Sequence, residues 1–287
     1  MIRIGEKTVQ RLLMAAAFSA IGGLLLIALF IFKEGLSFFI ETGFRRFLFA
    51  DVWDPQSGLY GIFPMLVASL WVTLGAMLLG APLGISVAVF LVEFVPRSVM
   101  RVVKPTIELL AGIPSVVYGF IGVMVLAPFI RSTFGGPGLS LLAASFILGV
   151  MILPTIISIS VDAITAVPAS YREGSFALGA TRWQTVRMVV LKAARSGIIA
   201  SVILGMGRAV GETMAVIMVA GNAVKIPHSA LDSVRTLTAN IALEMGYATG
   251  RHREALFATG IVLFVVIMIL NTAAGVMVRK RVSGKKG

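Results

Sequence analysis

The sequence contains no cysteine among its 287 residues, and it has few charged side chains. The absence of cysteine excludes disulfide bonds, cysteine-ligated zinc, iron–sulfur clusters and thiol catalysis. Only 13% of the residues are charged and 58% are hydrophobic, whereas an ordinary globular domain has about 25% charged residues. This composition excludes an ordinary water-soluble domain.

Six long, predominantly apolar stretches account for the composition. Each exceeds the ~20 residues that cross a bilayer core as a helix, so the sequence predicts an all-α polytopic membrane protein with six transmembrane helices. The expected spans are residues 12–32, 62–92, 106–130, 139–161, 196–224 and 255–278. They form one transmembrane domain, 12–278, between an N-terminal segment, 1–11, and a basic tail, 279–287.

The net charge of +12 would suit a nucleic-acid-binding surface, but its distribution indicates a membrane topology. If the spans alternate direction, 16 of the 25 Lys and Arg residues lie on the face that carries both termini, and eight lie on the other face. Loops rich in Lys and Arg remain in the cytoplasm. We therefore expect both termini in the cytoplasm, an uncleaved first helix, anionic lipids as neighbours of the basic residues, and no nucleic-acid partner.

Proline and glycine predict irregular helices within the spans. Pro82 lies between Gly80 and Gly84, and Pro114 and Pro154 are expected to interrupt the third and fourth spans. The spacing of Gly80 and Gly84 also suits a close contact between two helices.

The two outer loops have different compositions. The loop 33–61 carries seven aromatic side chains, which predict a segment lying at the membrane interface. The loop 225–254 is polar, and we expect a short helix around residues 233–245. Its two histidines, His228 and His252, are expected to be solvated, without a metal.

The longest inner loop, residues 162–195, contains residues that typically begin and end helices, spaced as for two short helices. Pro168 can begin the first helix, Gly179 can end it, and Thr181 can cap the second. The loop mixes charged residues with aromatic ones such as Tyr171 and Trp183. A cytoplasmic docking platform for a partner protein explains this mixture, and a helix pair lying on the membrane surface is the alternative.

The same loop resembles the EAA loop of the permease subunits of ABC importers. Glu173 and Gly179 have the spacing of that motif, although glycine and serine replace its two alanines and Lys192 stands where proline is usual. The resemblance implies that an inner-loop helix inserts into a cleft of a separate cytoplasmic ATPase. The residues expected at this contact are Tyr171, Arg172, Glu173, Gly174, Ala177, Gly179, Ala180 and Trp183.

A charged pair, Arg208 and Glu212, lies at the centre of the fifth span. A charge at the bilayer centre costs ~2.5 to 3.5 kcal/mol and normally faces the interior of the bundle. The spacing places both groups on one helix face, where they could simply neutralise each other. Two leucines would avoid the cost, however, and a guanidinium suits a tetrahedral oxyanion. We expect the pair to line a substrate pathway. Ser115 and Thr213 are further candidates, which helix–helix hydrogen bonds would equally explain.

Two blocks of sequence resemble the phosphate importer permeases of the PstC type. Residues 205–216 are similar to the fifth-span signature of that family, and residues 108–120 to another of its blocks. The resemblance implies the permease fold of type I ABC importers and the translocation of inorganic phosphate across the cytoplasmic membrane. It also implies a heterodimer with a PstA-type permease, two ATP-binding subunits and an extracytoplasmic phosphate-binding protein.

The resemblance leaves no catalytic residue, metal or cofactor to this chain, since ATP hydrolysis belongs to the partner ATPase. The same type of importer could instead carry sulfate or molybdate, which composition does not distinguish from phosphate. An ion-coupled secondary transporter is a further alternative, and the lack of an evident inverted repeat argues against it.

Overall fold

The fold was analysed in a computed structural model, which describes residues 6–283. Five helices in this part of the chain are long and apolar enough to cross a membrane, and a bent helix pair is a sixth candidate. The five are Val9–Thr42, Phe63–Glu93, Ser115–Phe134, Leu141–Thr165 and Gly250–Ala273, and the pair, bent by 70°, is Arg182–Ala193 with Arg195–Gly211. The prediction of an all-α polytopic membrane protein is confirmed.

The described residues form sixteen helical segments and one hairpin. The segments outnumber the candidate spans because several spans are broken. The helices are α1 (Glu6–Thr42), α2 (Phe44–Phe49), α3 (Phe63–Glu93), α4 (Arg97–Ala111), α5 (Ser115–Ile121), α6 (Ala127–Phe134), α7 (Leu141–Thr165), α8 (Ala169–Ala177), α9 (Arg182–Thr185), α10 (Leu191–Ala193), α11 (Arg195–Gly211), α12 (Met214–Val219), α13 (Leu237–Glu244) and α14 (Gly250–Ser283). Together with π-helical turns at Gly122–Leu126, between α5 and α6, and Val186–Val190, between α9 and α10, they make up the sixteen segments.

The strands β1 (Trp53–Asp54) and β2 (Leu59–Tyr60) form an antiparallel hairpin. We call the end of the bundle with this hairpin the hairpin end. The opposite end, which carries α8 and α9, is the helix-pair end. The basic residues Arg3, Lys285 and Lys286, counted in the topology prediction, lie outside the described residues.

The helix α7 forms the centre of the bundle and α1 its periphery. In the most apolar window of α7, 61% of the residues are buried, against none in the corresponding window of α1. A helix that is apolar on all sides becomes buried in this way when other helices surround it. The residues of α7 contribute to a central core with α3 and α12, and to a second core at the helix-pair end. The helix α1 packs mainly on α14.

The contact between α3 and α7 depends on glycine. A methyl group placed on Gly80 would lie 2.7 Å from the side chain of Ile152, and one on Gly84 would lie 2.8 Å from Ile156. The predicted close helix contact is therefore confirmed. It brings the two backbones together along the middle of the bundle.

Two of the three expected proline irregularities do not break a helix. Pro82 lies within the unbroken α3, and Pro154 lies within the unbroken α7, so the predicted interruption of the fourth span is wrong. A buried helix tolerates the missing backbone hydrogen bond when neighbouring helices hold it in place. Pro114 does mark a break, since α4 ends at Ala111 and α5 begins at Ser115.

Part of the aromatic loop after the first span packs into a core, while Phe44 and Phe49 are exposed, and its location at the membrane interface stays a prediction. Helix α1 continues to Thr42, and Phe38, Phe47, Trp53 and Tyr60 are buried with α13 and α14. Phe38 contacts the rings of Phe47 and Tyr60 edge-on, with centroids 5.2 and 5.3 Å apart. Such pairs add to the stabilisation from burial. The helix predicted around residues 233–245 is present as α13.

Candidate functional site

Two broken helices meet beside the central core. The first break is the turn 112–114 between α4 and α5, and the second lies between α11, which ends at Gly211, and α12. Helix α5 packs on α12 so closely that a methyl group on Gly119 would lie 2.7 Å from Met218. The breaks leave backbone groups of both helices available for bonds outside the helices themselves. In secondary transporters, discontinuous helices form substrate sites, which makes these two breaks a candidate site here.

Arg208 connects the two broken helices. It is half-buried one turn before the end of α11, and its Nη2 donates to the carbonyl oxygen of Ala111 at 3.4 Å. Ala111 is the last residue of α4, where unpaired carbonyls carry a partial negative charge that attracts a cation. Arg208 therefore lies close to the turn that precedes Ser115.

Glu212 lies just beyond the end of α11, with an extended backbone at φ −70° and ψ 133°. Its carboxylate accepts a hydrogen bond from the backbone N–H of Ala215 at 3.2 Å, and its carbonyl accepts one from the hydroxyl of Thr238 at 3.0 Å. A carboxylate at the start of α12 satisfies a donor that has no partner within the helix. That bond is available only because the span is broken at this residue.

The expected placement of Arg208 and Glu212 on one face of a single helix is wrong, because the predicted span 196–224 ends as a helix at Gly211. None of the ion pairs found among residues 6–283 joins the two side chains. Thr213 follows directly and donates to the carbonyl of Gly211 at 3.3 Å. Three of the four predicted pathway residues thus surround one break, and Ser115 begins the helix after the other.

The helix pair between α7 and α11 has the predicted architecture. Pro168 precedes α8, and Gly179 turns the chain after it with φ at +82°, a conformation that favours glycine. The hydroxyl of Thr181 accepts from the N–H of Gln184, whose side chain accepts in turn from the N–H of Thr181. This reciprocal cap fixes the start of α9.

The exposed surface of the helix pair is apolar as well as charged. Tyr171 and Trp183 have 53% and 57% of their surface exposed, and Leu178, at the turn, has 89%. We call this surface the docking face; its exposed members are Tyr171, Glu173, Gly174, Phe176, Ala177, Leu178, Gly179 and Trp183. The predicted contact residues did not include Leu178, which directly precedes Gly179, or Phe176, which lies in the last turn of α8. Ala180, predicted for the same contact, is half-buried.

Arg172 differs from the other residues predicted to face an ATPase, because its side chain points into the bundle. Its Nε and Nη2 donate to Oε1 of Glu93 at 3.1 and 2.7 Å. Glu93 is the last residue of α3 and is only 8% exposed. The sequence analysis missed Glu93. The one signal in the sequence is that an acidic residue ends a long apolar stretch.

A second buried carboxylate, Glu244, organises the hairpin end. It accepts hydrogen bonds from Trp53 at 2.8 Å and Arg235 at 2.7 Å, and it lies 2.8 Å from Nε2 of His252. The prediction that His252 is solvated is therefore wrong, whereas His228 is exposed. The surrounding aromatic rings shield Glu244 and His252 from water. Their polar atoms therefore need hydrogen-bond partners within the protein.

Comparison with known proteins identifies the family. The sequence signature described as "Binding-protein-dependent transport system inner membrane component" matches residues 80–284. The chain belongs to this family. Its expected resemblance to importer permeases is thus confirmed.

Several similar proteins have curated names. The "Probable ABC transporter permease protein YqgH" of Bacillus subtilis is 44% identical over 271 residues, covering 92% of this chain and 88% of that protein. The "Phosphate transport system permease protein PstC" of Mesorhizobium japonicum is 37% identical over 255 residues, covering 82% and 78% of the two chains. The protein of the same name from Xylella fastidiosa is 37% identical over 274 residues, covering 88% and 82%.

Solved structures share the fold at lower identity. A bacterial alginate ABC transporter, solved with a periplasmic protein bound to an alginate pentasaccharide, has a chain with a TM-score of 0.65 and 17% identity, covering 100% of both chains. A chain of the methionine transporter MetNI in an inward-facing conformation has a TM-score of 0.62 and 22% identity, covering 79% of this chain and 98% of that one. The permease fold of ABC importers, expected from the sequence, is confirmed.

Proposed function

We propose that this chain is the permease subunit of an ATP-driven importer that carries inorganic phosphate across the cytoplasmic membrane. The observation that carries the proposal is the position of Arg208, a half-buried cation at the junction of two broken helices. The relatives named as phosphate transport permeases, at 37% identity, support phosphate as the substrate.

The chemistry of the junction suits a hydrogen phosphate ion. A guanidinium has five N–H donors, and its planar fork matches two oxygens of a tetrahedral oxyanion. The contact with Ala111 uses one donor of Arg208 at 3.4 Å and leaves the side chain able to turn toward a ligand. Glu212 would accept a hydrogen bond from the P–OH group. Sulfate has no such proton at neutral pH, so the carboxylate would favour phosphate over sulfate.

The docking face would receive the ATPase. Exposed aromatic and leucine side chains beside Glu173 have the composition of a protein contact, and the fold is that of permeases that work in ABC importers. The helix-pair end would then lie in the cytoplasm with both termini, as the distribution of Lys and Arg supports. The partners would be a second, PstA-type permease, two ATP-binding subunits and an extracytoplasmic phosphate-binding protein.

Reconstitution of the whole complex tests the proposal. The chain is purified in mild detergent with the proteins that accompany it, and the complex is placed in vesicles with ATP on the helix-pair side and the binding protein on the hairpin side. We expect ATP-dependent uptake of radiolabelled phosphate that a tenfold excess of unlabelled sulfate or molybdate leaves almost unchanged. Equal competition by sulfate or molybdate would indicate another oxyanion, and ATP-independent uptake would indicate a secondary transporter.

A further inference from the structure

Glu93 is a buried carboxylate at the helix-pair end of α3. Its side chain is 8% exposed and accepts two hydrogen bonds from the guanidinium of Arg172, at 2.7 and 3.1 Å. Removing one partner of a buried pair leaves an uncompensated charge and is strongly unfavourable. The pair is therefore a firm connection between α3 and α8.

The remaining donors of Arg172 reach the end of α7. Its Nη2 donates to the carbonyl of Ile164 at 3.1 Å, and its Nη1 donates to that of Val167 at 2.9 Å. Ile164 lies in the last turn of α7, and Val167 follows that helix directly. One side chain of α8 thus binds both helices of the central pair.

Glu93 also holds the second helix of the pair. Its backbone carbonyl accepts a hydrogen bond from Arg182, the first residue of α9. The guanidinium of Arg182 lies 5.0 Å from the ring centroid of Phe94, where a cation is attracted to the ring face. The side chain of Glu93 therefore positions α8, and its main chain positions α9.

Polar bonds rather than a packed core attach α8 to the bundle. Of the nine residues of α8, all of which the structure describes, none has a buried side chain. Its other described side-chain bond joins Ser175 to Thr185 of α9, at 2.9 Å, and so stays within the helix pair. In contrast, α3 is packed along α7 and reaches the hairpin end, where Ser69 accepts from the N–H of Leu237 at 2.9 Å. Among the described side-chain bonds of α8, the one that reaches α3 joins Arg172 to Glu93, so a displacement of α8 acts on α3 at Glu93.

We propose that Glu93 is a positioning residue that transmits movement of the ATPase-docking helix α8 to α3, and so sets how much transport each ATP drives. This inference rests on the proposed function, because it assigns the docking face to an ATPase. Glu93 is not part of that face and is not among the predicted pathway residues. Glu93→Gln keeps the size of the side chain and the backbone carbonyl that holds Arg182, so we expect it to lower coupling more than assembly or substrate recognition.

The test compares Glu93→Gln with a matched control, Glu41→Gln, in the complete complex in vesicles. Glu41 is also the acidic partner of an arginine, Arg251 at 2.6 Å, but the pair is exposed at the hairpin end. We expect Glu93→Gln to lower the phosphate transported per ATP about tenfold, the size expected for losing a charge-assisted hydrogen bond, with normal recovery of the ATPase. The control should transport normally. Normal coupling in Glu93→Gln would overturn the inference.

A double-mutant cycle separates transmission from general damage. If Glu93 and Arg172 act as one unit, Glu93→Gln combined with Arg172→Gln lowers coupling no further than the worse single change. Additive losses would overturn the proposal. Should Glu93→Gln fail to assemble, Glu93→Asp retains the charge and is measured in its place. Its side chain is one methylene shorter and reaches Arg172 less well, so we expect Glu93→Asp to assemble but to couple less ATP to transport. Normal coupling in Glu93→Asp would show that Glu93 serves assembly alone and would overturn the proposal.

A distance measurement tests the inference independently of which substrate the complex transports. Because the sequence lacks cysteine, spin labels can be attached at Ser170→Cys, an exposed position of α8 outside the docking face, and at Leu83→Cys on the exposed side of α3. In the wild-type complex we expect one narrow distance distribution that stays narrow when ATP binds. Glu93→Gln should broaden it, and an unchanged distribution would contradict the inference. If the wild-type complex gives this result but carries no phosphate, the proposed substrate is wrong and the transmission by Glu93 stands.

Discussion

Arg208 and Glu212 lie on either side of the end of α11, and each bonds to a different helix. Arg208 donates to the last carbonyl of α4, at Ala111, while Glu212 accepts from the N–H of Ala215 in α12. The two charges are thus close in the chain without neutralising each other in an ion pair. A cation and a carboxylate held apart in this way can contact different oxygens of one bound anion.

Replacement of Arg208 should strongly reduce transport without disturbing the complex. We expect Arg208→Gln to lower phosphate uptake at least about tenfold, because a charged hydrogen-bond donor contributes ~1.5 to 3 kcal/mol. Uptake by vesicles containing the complex is the measurement. Arg131→Gln is the control, since Arg131 is exposed in the last turn of α6. Near-normal uptake by Arg208→Gln would remove Arg208 from the pathway.

Glu212 should determine discrimination between oxyanions more than the rate of uptake. Glutamine can still accept the N–H of Ala215, so Glu212→Gln should retain the start of α12. It can also donate to a fully deprotonated oxygen, so we expect sulfate to compete better with phosphate than in the wild type. Competition curves with both anions check this. An unchanged ratio would show that Glu212 serves α12 alone.

Gly179 should be intolerant of a side chain. Its φ of +82° costs a residue with a Cβ ~1 to 2 kcal/mol, so Gly179→Ala should loosen the turn between α8 and α9 and reduce the ATPase that copurifies. Gly174→Ala is the control for chain flexibility, because Gly174 lies within α8 and a methyl group there would meet open space. Hydrogen exchange of the helix pair measures the loosening. Equal exchange in both variants would contradict the expectation.

The loop 225–234 should keep its structure in moderately acidic solution. Asp232 accepts hydrogen bonds from Lys225 and from the N–H groups of His228 and Ser229, and these lower the pKa of its carboxyl from 3.8 to about 2. A lowered pKa means that the ionised form stabilises the folded loop. That contribution is complete above the ordinary pKa and is lost as the pH falls from 3.8 through about 2.

Hydrogen exchange of the loop between pH 5 and pH 2.5 measures this dependence. We expect the protection of the two N–H groups that Asp232 accepts to be constant at the upper end of this range and to fall only near its lower end. In Asp232→Asn, protection should be lower at every pH and should lose its pH dependence. A transition near pH 5 in the wild-type loop would contradict the assignment to Asp232.

The helix pair could be predicted because residues that begin and end helices mark its boundaries. Pro168, Gly179 and Thr181 each act through the backbone within a few residues, so their effects could be inferred without knowing the fold. Long-range bonds could not be inferred in the same way. Glu93 and Arg172 are separated by 79 positions, and Trp53 and Glu244 by 191. The family resemblance identified the fold correctly but did not include these contacts.

The break at Glu212 was missed for a physical reason. Residues 205–216 are apolar and rich in small residues apart from the charged pair, and such a run reads as one continuous helix. In the folded chain, Ala215 and Thr238 both bond to Glu212 and so stabilise the extended residue at the break. Thr238 lies 26 positions later, in α13, and its role becomes visible only in the folded chain. The role of the predicted pathway residues in transport remains a prediction.

The glycine contact between α3 and α7 also limits how the bundle can move. Sliding one helix past the other would force the side chains of Ile152 and Ile156 out of the spaces above Gly80 and Gly84 and into neighbouring backbone. These two helices therefore move as one unit, so a displacement that reaches α3 at Glu93 carries α7 with it. The helix ends that border the two breaks, at Ala111, Ser115, Gly211 and Met214, belong to other helices, so a rearrangement beside Arg208 does not require α3 and α7 to separate.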